Sequence, residues 1–251
     1  MTTTKTPEEI KIIAEGGHKL AKILKLVIKK VKPGVSTIEL DEYAEKLIVE
    51  VGGRSAFKHH QGYPAALCVS PNEVVVHGIP HKSKILKEGD IVGLDIGMQY
   101  PAKGGLYTDM ARTVGVGKIS KEAKKLIKVT EESFWRGIKE IKDGARLGDL
   151  GAAVQEHVEK NGFSVVRNLC GHGVGYAVHE DPKVMNFGQR GAGDIIKEGM
   201  VLAVEPMVNA GRHELEILND GWTAVSLDRT LTAHYENTLV VTKRGCDILT
   251  K

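Results

Sequence analysis

The sequence has little of what would commit it to a special environment. Its three cysteines, Cys68, Cys170 and Cys246, stand far apart with no C-x-x-C pair. That spacing excludes a disulfide framework and a cysteine zinc site, and fits a reducing cytoplasm. No stretch approaches the roughly 18 unbroken apolar residues of a membrane span. The opening segment, with Glu8 and Glu9, has neither the apolar core of a secretory signal nor the arginines of a transit peptide. Net charge is small: 35 Lys and Arg against 32 Asp and Glu leave +3, too little to name DNA as a partner. A nucleotide loop is missing as well, because Gly171-His172-Gly173-Val174-Gly175 lacks both the lysine of a P-loop and the third-glycine spacing of a dinucleotide fingerprint. What is present is an ordinary soluble composition, 41% hydrophobic and 27% charged, with a length that suits one domain or two.

Self-comparison finds a repeat. Lys32-Pro33-Gly34, followed by Leu40, Ala44 and Gly52, matches Lys142-Asp143-Gly144, followed by Leu150, Val154 and Gly162, at an offset of 110. Lys87-Glu88-Gly89-Asp90-Ile91-Val92-Gly93-Leu94-Asp95 matches Lys197-Glu198-Gly199-Met200-Val201-Leu202-Ala203-Val204-Glu205 at the same offset, and both copies end in a carboxylate. A period this long is too long for a solenoid and indicates two similar halves, about residues 8–117 and 118–251, packed around a shared site in one domain.

The coarse elements agree. Leu20, Ile23, Leu24, Val27, Ile28 and Val31 fall on one helix face, and a second Lys-rich helix is predicted from about Lys121 to Ile141. Each is followed by a turn and another predicted helix, Thr37–Val51 and Leu147–Asn161, with Ser36 or Thr37 capping the first and Gly52 and Gly162 closing the pair. Strands are expected at Ala65–Val69, Glu73–Val76, Ile91–Gly97, Ser164–Val166, Val201–Glu205, Thr223–Ser226 and Asn237–Val241. The fold class is α+β, two alike halves with helices outside a curved, antiparallel-rich sheet.

Four acids sit where strands should be apolar. Asp95 and Glu205 end the repeated strands, Asp109 follows Asp95 through a turn containing Pro101 and Gly104-Gly105, and Glu236 opens the corresponding strand of the second half. The two aspartates are expected to face each other across a hairpin. Burying one carboxylate is costly, and four at one centre require counter-charge. Divalent cations supply it: carboxylates with one imidazole suit Mn, Fe, Co or Zn, and shared carboxylates suit a pair of ions. The expected imidazole is His172, whose flanking glycines let backbone crowd the centre. His77 and His179 occupy matching places, each preceded by an apolar residue and followed three positions later by proline, and are expected to flank the metals. His18, His157, His213 and His234 are expected at the surface, while His59, His60 and His81 carry no assignment.

Several blocks resemble the type I methionine aminopeptidases. They are Gly171-His172-Gly173-Val174-Gly175, His179-Glu180-Asp181-Pro182, Val204-Glu205-Pro206-Met207-Val208-Asn209-Ala210-Gly211, Asp220-Gly221-Trp222-Thr223 and Tyr235-Glu236-Asn237-Thr238, joined in the first half by Gly62-Tyr63-Pro64, Cys68, Asn72-Glu73-Val74 and His77-Gly78-Ile79-Pro80. The resemblance runs from about residue 8 to 250 in the right order. It implies the pita-bread fold and removal of the initiator methionine from nascent proteins and peptides whose second residue is small. The chain's own start, Met1-Thr2, fits that preference.

Carried over by position, the metal ligands would be Asp95, Asp109, His172, Glu205 and Glu236, with Asp95 bidentate to one ion and Asp109 and Glu236 bridging. Glu205 would pass a proton to the leaving amine, His179 would bond the carbonyl oxygen as it becomes an oxyanion, and His77 would sit by the scissile nitrogen. Tyr63, Cys68 and Trp222 would line the methionine pocket. Three departures stand out: a longer Asp95–Asp109 connection, Val178 where the family commonly has an aromatic residue, and His60 where tyrosine is usual. Losing that aromatic area is expected to loosen selectivity for methionine. A proline-directed peptidase of the same fold shares the five ligands, and a binding protein that has lost its metals is the non-enzymatic alternative. The resemblance further implies a cytoplasmic monomer, and the Lys-rich helices read as solvated faces before they read as a ribosomal RNA contact.

Overall fold

The computed structural model describes residues 3–251; the Met1-Thr2 expectation lies outside them. Four long helices carry the outer layer: α1 (Pro7–Ile28), α2 (Thr37–Glu50), α3 (Lys121–Gly137) and α4 (Leu147–Lys160). α1 begins well before the apolar periodicity at Leu20. Thr6 and Glu9 form a reciprocal capping box with Pro7 in the first turn, which nucleates a helix ahead of its greasy stripe. It also stops short of Val31, and α3 gives way to a 3-10 turn, Ile138–Glu140, before Ile141. Ser36, not Thr37, caps α2. None of the helices among the described residues is long and apolar enough to cross a membrane.

The repeat is visible bond by bond. Gly34 N–H donates to Leu86 O at 2.8 Å, and Gly144 N–H to Ile196 O at 2.9 Å; Leu86 N–H returns to Val35 O, and Ile196 N–H to Ala145 O, both at 2.8 Å. Gly34, Gly52, Gly144 and Gly162 all take positive φ, the left-handed backbone that a side chain disfavours. In each half the paired helices cover that half's strands. Leu20, Leu24, Leu40 and Ile48 pack on Leu67, Leu94 and Ile96; Leu126, Phe134, Leu150 and Val154 pack on Leu202, Val204 and Leu239.

The strand pairings are antiparallel throughout the described residues, and hydrogen bonding divides them into four- and five-stranded sheets with two smaller three-stranded ones. Strand Ile91–Tyr100 pairs with Leu67–Pro71 on one side and Leu106–Gly115 on the other. Strand Val201–Val204 pairs with Gly171–Gly173 and Asn237–Thr242. The halves meet where the strand Leu106–Gly115 runs beside residues 232–238. Glu236 N–H donates to Ala111 O at 3.0 Å, and His234 N–H to Thr113 Oγ1 at 2.8 Å. That seam holds two of the four acids.

Candidate active site

One cavity of about 160 Å³ gathers all ten residues singled out from sequence: Asp95, Asp109, His172, Glu205 and Glu236 with His77, His179, Tyr63, Cys68 and Trp222. The hairpin register corrects one expectation. Asp109 pairs with Gly97 and Asp95 with Ala111, so the two aspartates are diagonal neighbours on one face, not opposite partners. Cys68 is the residue directly across from Asp95 on the other side. His172 rides the short strand Gly171–Gly173. Its flanking glycines are needed there, since a β-carbon at Gly171 would meet Ala203 O and one at Gly173 would meet Asp181 O.

Asp109, Glu205 and Glu236 are 3%, 9% and 2% exposed. Atoms of Asp109, His172 and Glu236 lie within 4.8 Å of one another. His172 Nε2 stands 3.6 Å from Asp109 Oδ2 and 3.4 Å from Glu205 Oε1. Its Nδ1 lies 2.9 Å from Gly173 O; a carbonyl only accepts, so Nδ1 donates there and Nε2 is the nitrogen turned to the carboxylates. Thr238 Oγ1 bonds Asp109 Oδ1 at 3.1 Å and accepts from Asp109 N at 3.1 Å, clasping the acid from the other half. Arg112 bonds the Glu236 carbonyl and Asn237 Oδ1 from the opposite direction.

The acids are short of positive charge. Burial, reinforced by the other carboxylates, pushes Asp95 up to about 7 and Glu205 to about 8 and raises Glu236, while burial alone raises Asp109. Asp95 Oδ1 and His234 Nε2 are buried with no hydrogen-bond partner. Unsatisfied acceptors facing a cluster of acids and one oriented imidazole are what divalent cations would complete, so the donor set fits metal.

The sign of the pH effect follows. These carboxyls bind protons more tightly folded than unfolded, so without cations their contribution to stability is fullest below about pH 4 and is lost as pH rises through 7 to 8. Cations hold the acids ionised and remove that loss. The gap in melting temperature between metal-loaded and metal-free protein should therefore widen by at least about 5 °C between pH 5 and pH 8.5. Differential scanning calorimetry at the two pH values checks this, and an equal gap would contradict it.

His234 corrects a second expectation. It is not at the surface but 3% exposed, with Nε2 3.6 Å from Glu205 Oε2 and 4.0 Å from Glu236 Oε2. The available signal was its spacing: positions 234, 236 and 238 alternate onto one face of an extended chain. His157 is likewise mostly covered and bonds Glu132 at 3.0 Å. His60, unassigned from sequence, lines the cavity, its ring centre 5.5 Å from that of His179. Val178 is buried and does not line the cavity. Phe57 and Cys170 do line it.

Two histidines hang over the acids. His77 adopts a left-handed backbone, φ 57°, with its ring 6.0 Å from Trp222 in an edge-on pair; burial lowers it to about 4. His179 stands at the solvent-facing mouth, 4.4 Å between ring centres from His172. Desolvation and its histidine neighbours hold it well below the usual range, so both rings are neutral near pH 7. Beside them lies an apolar recess. Tyr63 and Cys68 are each 3% exposed, Tyr63 OH donates to Gly78 O at 3.0 Å, and Trp222 packs edge-on against Tyr63 at 5.2 Å.

Comparison with known proteins places this geometry. Metallopeptidase family M24 matches residues 11–243. The chain is similar to a methionine aminopeptidase of Clostridium perfringens, 48% identical over all of this chain and 99% of that one, and to methionine aminopeptidase 1 of Bacillus subtilis, 46% identical over the full length of both. Among solved structures, methionine aminopeptidase from Thermotoga maritima superposes with a TM-score of 0.97 at 43% identity, covering both chains completely. Prolidase from Pyrococcus furiosus shares the fold at TM-score 0.80, with 23% identity and 65% of its own length covered.

Proposed function

The chain belongs to metallopeptidase family M24, among its type I methionine aminopeptidases, and from that premise we propose that Asp95, Asp109, His172, Glu205 and Glu236 hold two divalent ions beside the first peptide bond of a bound substrate. The protein is a metal-dependent aminopeptidase that removes N-terminal methionine. The observation that carries the site reading is the meeting, in one cavity, of three buried acids, the half-buried Asp95 and an oriented imidazole with an apolar recess of Tyr63, Cys68 and Trp222. A flexible thioether gains from packing and sulfur–aromatic contact in such a recess. The two halves each contribute ligands, so the whole chain acts as one catalytic unit.

Divalent ions bound there supply a polarised scissile carbonyl and a water acidic enough to act near neutral pH. The remaining work falls to side chains. Glu205, which reaches both the cluster and the cavity, takes a proton and returns it to the leaving amine. His179, neutral, donates a hydrogen bond to the carbonyl oxygen as charge develops on it. His77, wedged against Trp222, meets the scissile nitrogen. We place the substrates among nascent proteins with a small second residue, and the enzyme in the cytoplasm as a monomer; the exposed lysines of α1 and α3 are solvated faces on this reading.

Titrating Mn, Fe or Co into metal-free protein while following release of methionine from Met-Gly-Met-Met tests the proposal. Turnover with at least one ion is expected, and none with any of them would overturn it; cleavage of an Ala-Pro peptide instead would favour the proline-directed alternative. Pocket selectivity has its own test. With His60 in the wall, discrimination between methionine and other unbranched side chains should be weak, and His60→Tyr should sharpen it about tenfold. A peptide-library profile that is already strict, or unmoved by the substitution, would contradict this.

A further inference from the structure

The loop that carries His179 is tied to the far end of the chain. Lys5 precedes α1, and its side chain is completely buried. Its Nζ donates to Glu180 Oε2 at 2.8 Å and to Thr3 Oγ1 at 2.9 Å, and lies 4.1 Å from the centre of the Tyr176 ring. Glu180 follows His179 directly, and its other oxygen accepts the N–H groups of Tyr176 and Ala177. One carboxylate thus closes the 176–180 turn from within while the Lys5 ammonium grips it from without. The surroundings reinforce the grip: Lys5 N–H donates to Gly199 O at 2.7 Å, Tyr176 OH bonds Glu9 Oε1 at 2.9 Å, and Gly175 has φ +141° with Lys5 Cε in the space a β-carbon would take. A buried ammonium left without its carboxylate is strongly unfavourable, so the two ends of this tie hold together or let go together.

We propose that Lys5 is a positioning residue for the reaction: through Glu180 it fixes the turn from which His179 projects over the cavity, so a segment outside the cavity sets how well His179 meets the developing oxyanion. The inference rests on the role of His179 proposed above. Lys5→Met, Glu180→Gln and His179→Ala are compared with wild type as Mn-loaded enzyme on Met-Gly-Met-Met, with kcat and KM resolved and Mn affinity measured by calorimetry. Lys5→Met should lower kcat about tenfold to a hundredfold, with KM and Mn affinity unchanged. Glu180→Gln keeps an acceptor for Tyr176 and Ala177 while dissolving the charge pair, and should show a loss of the same kind; it serves alone if Lys5→Met does not fold. An unchanged kcat in the folded variants, even with a lowered melting temperature, overturns the positioning role, as does a loss expressed in Mn affinity. If His179→Ala is impaired while the Lys5 and Glu180 variants are not, only this inference fails; if His179→Ala is fully active, the oxyanion reading fails with it.

Discussion

Asp109→Asn should produce two effects of opposite sign. The substitution keeps the shape of the side chain and an acceptor for Thr238, but removes one negative charge from the heart of the cluster formed with His172 and Glu236. Disturbing a residue that merely supports a metal ligand costs about 10–100-fold in affinity or activity, so neutralising a ligand shared by the cluster should cost more than about a hundredfold in both. The metal-free variant, in contrast, should melt at a higher temperature than metal-free wild type at pH 8. Burial raises the proton affinity of all four acids, and the charge of Asp109 raises it further at Asp95, Glu205 and Glu236, so removing that charge relieves repulsion within the metal-free cluster. Equilibrium dialysis with metal analysis, together with calorimetry of the chelated proteins, reads both signs. A variant that binds metal as wild type does would remove Asp109 from the ligand set.

His179→Ala should lower kcat by about 10²–10³, the usual cost of losing one donor to a developing oxyanion, while KM changes little because the bond strengthens only as charge forms. The ring is neutral well below pH 7 and so donates without titrating. The acidic limb of the pH–rate profile should therefore survive the substitution in place, since it belongs to the acids of the cluster and not to this imidazole. A shift of that limb, or a change carried wholly by KM, would show that His179 acts in binding or proton transfer instead.

Both predictions concern residues that sequence had already singled out, and the reason is physical. A carboxylate in an otherwise apolar run is conspicuous because burial makes it expensive, and Asp95 and Glu205 repeat that anomaly at one offset. The 110-residue repeat was legible for a similar reason: turns that require positive φ keep their glycines, as at Gly34 and Gly144. Less legible was anything whose meaning depends on pairing. Asp95 and Asp109 are offset by two residues in a strand register that no turn length alone fixes, so they stand diagonally on one face. His234 looked like a surface histidine because its neighbours are polar, yet the seam between the halves buries it against Glu205.

By itself, the sequence determined the four helices, the duplication, the set of acids and His172, one of the two imidazoles that turn toward them, because each is a local preference or a local cost legible along the chain. Tertiary structure decided which of these meet: that Thr238 bonds the Asp109 carboxylate and Arg112 the main-chain carbonyl of Glu236, each from the opposite half, that His60 and not Val178 forms a wall of the cavity, and that Lys5 reaches across the fold to the turn behind His179. Such contacts join residues more than a hundred positions apart. Their free energy comes from the burial and charge pairing of distant groups, a quantity that exists only once both halves have closed on each other.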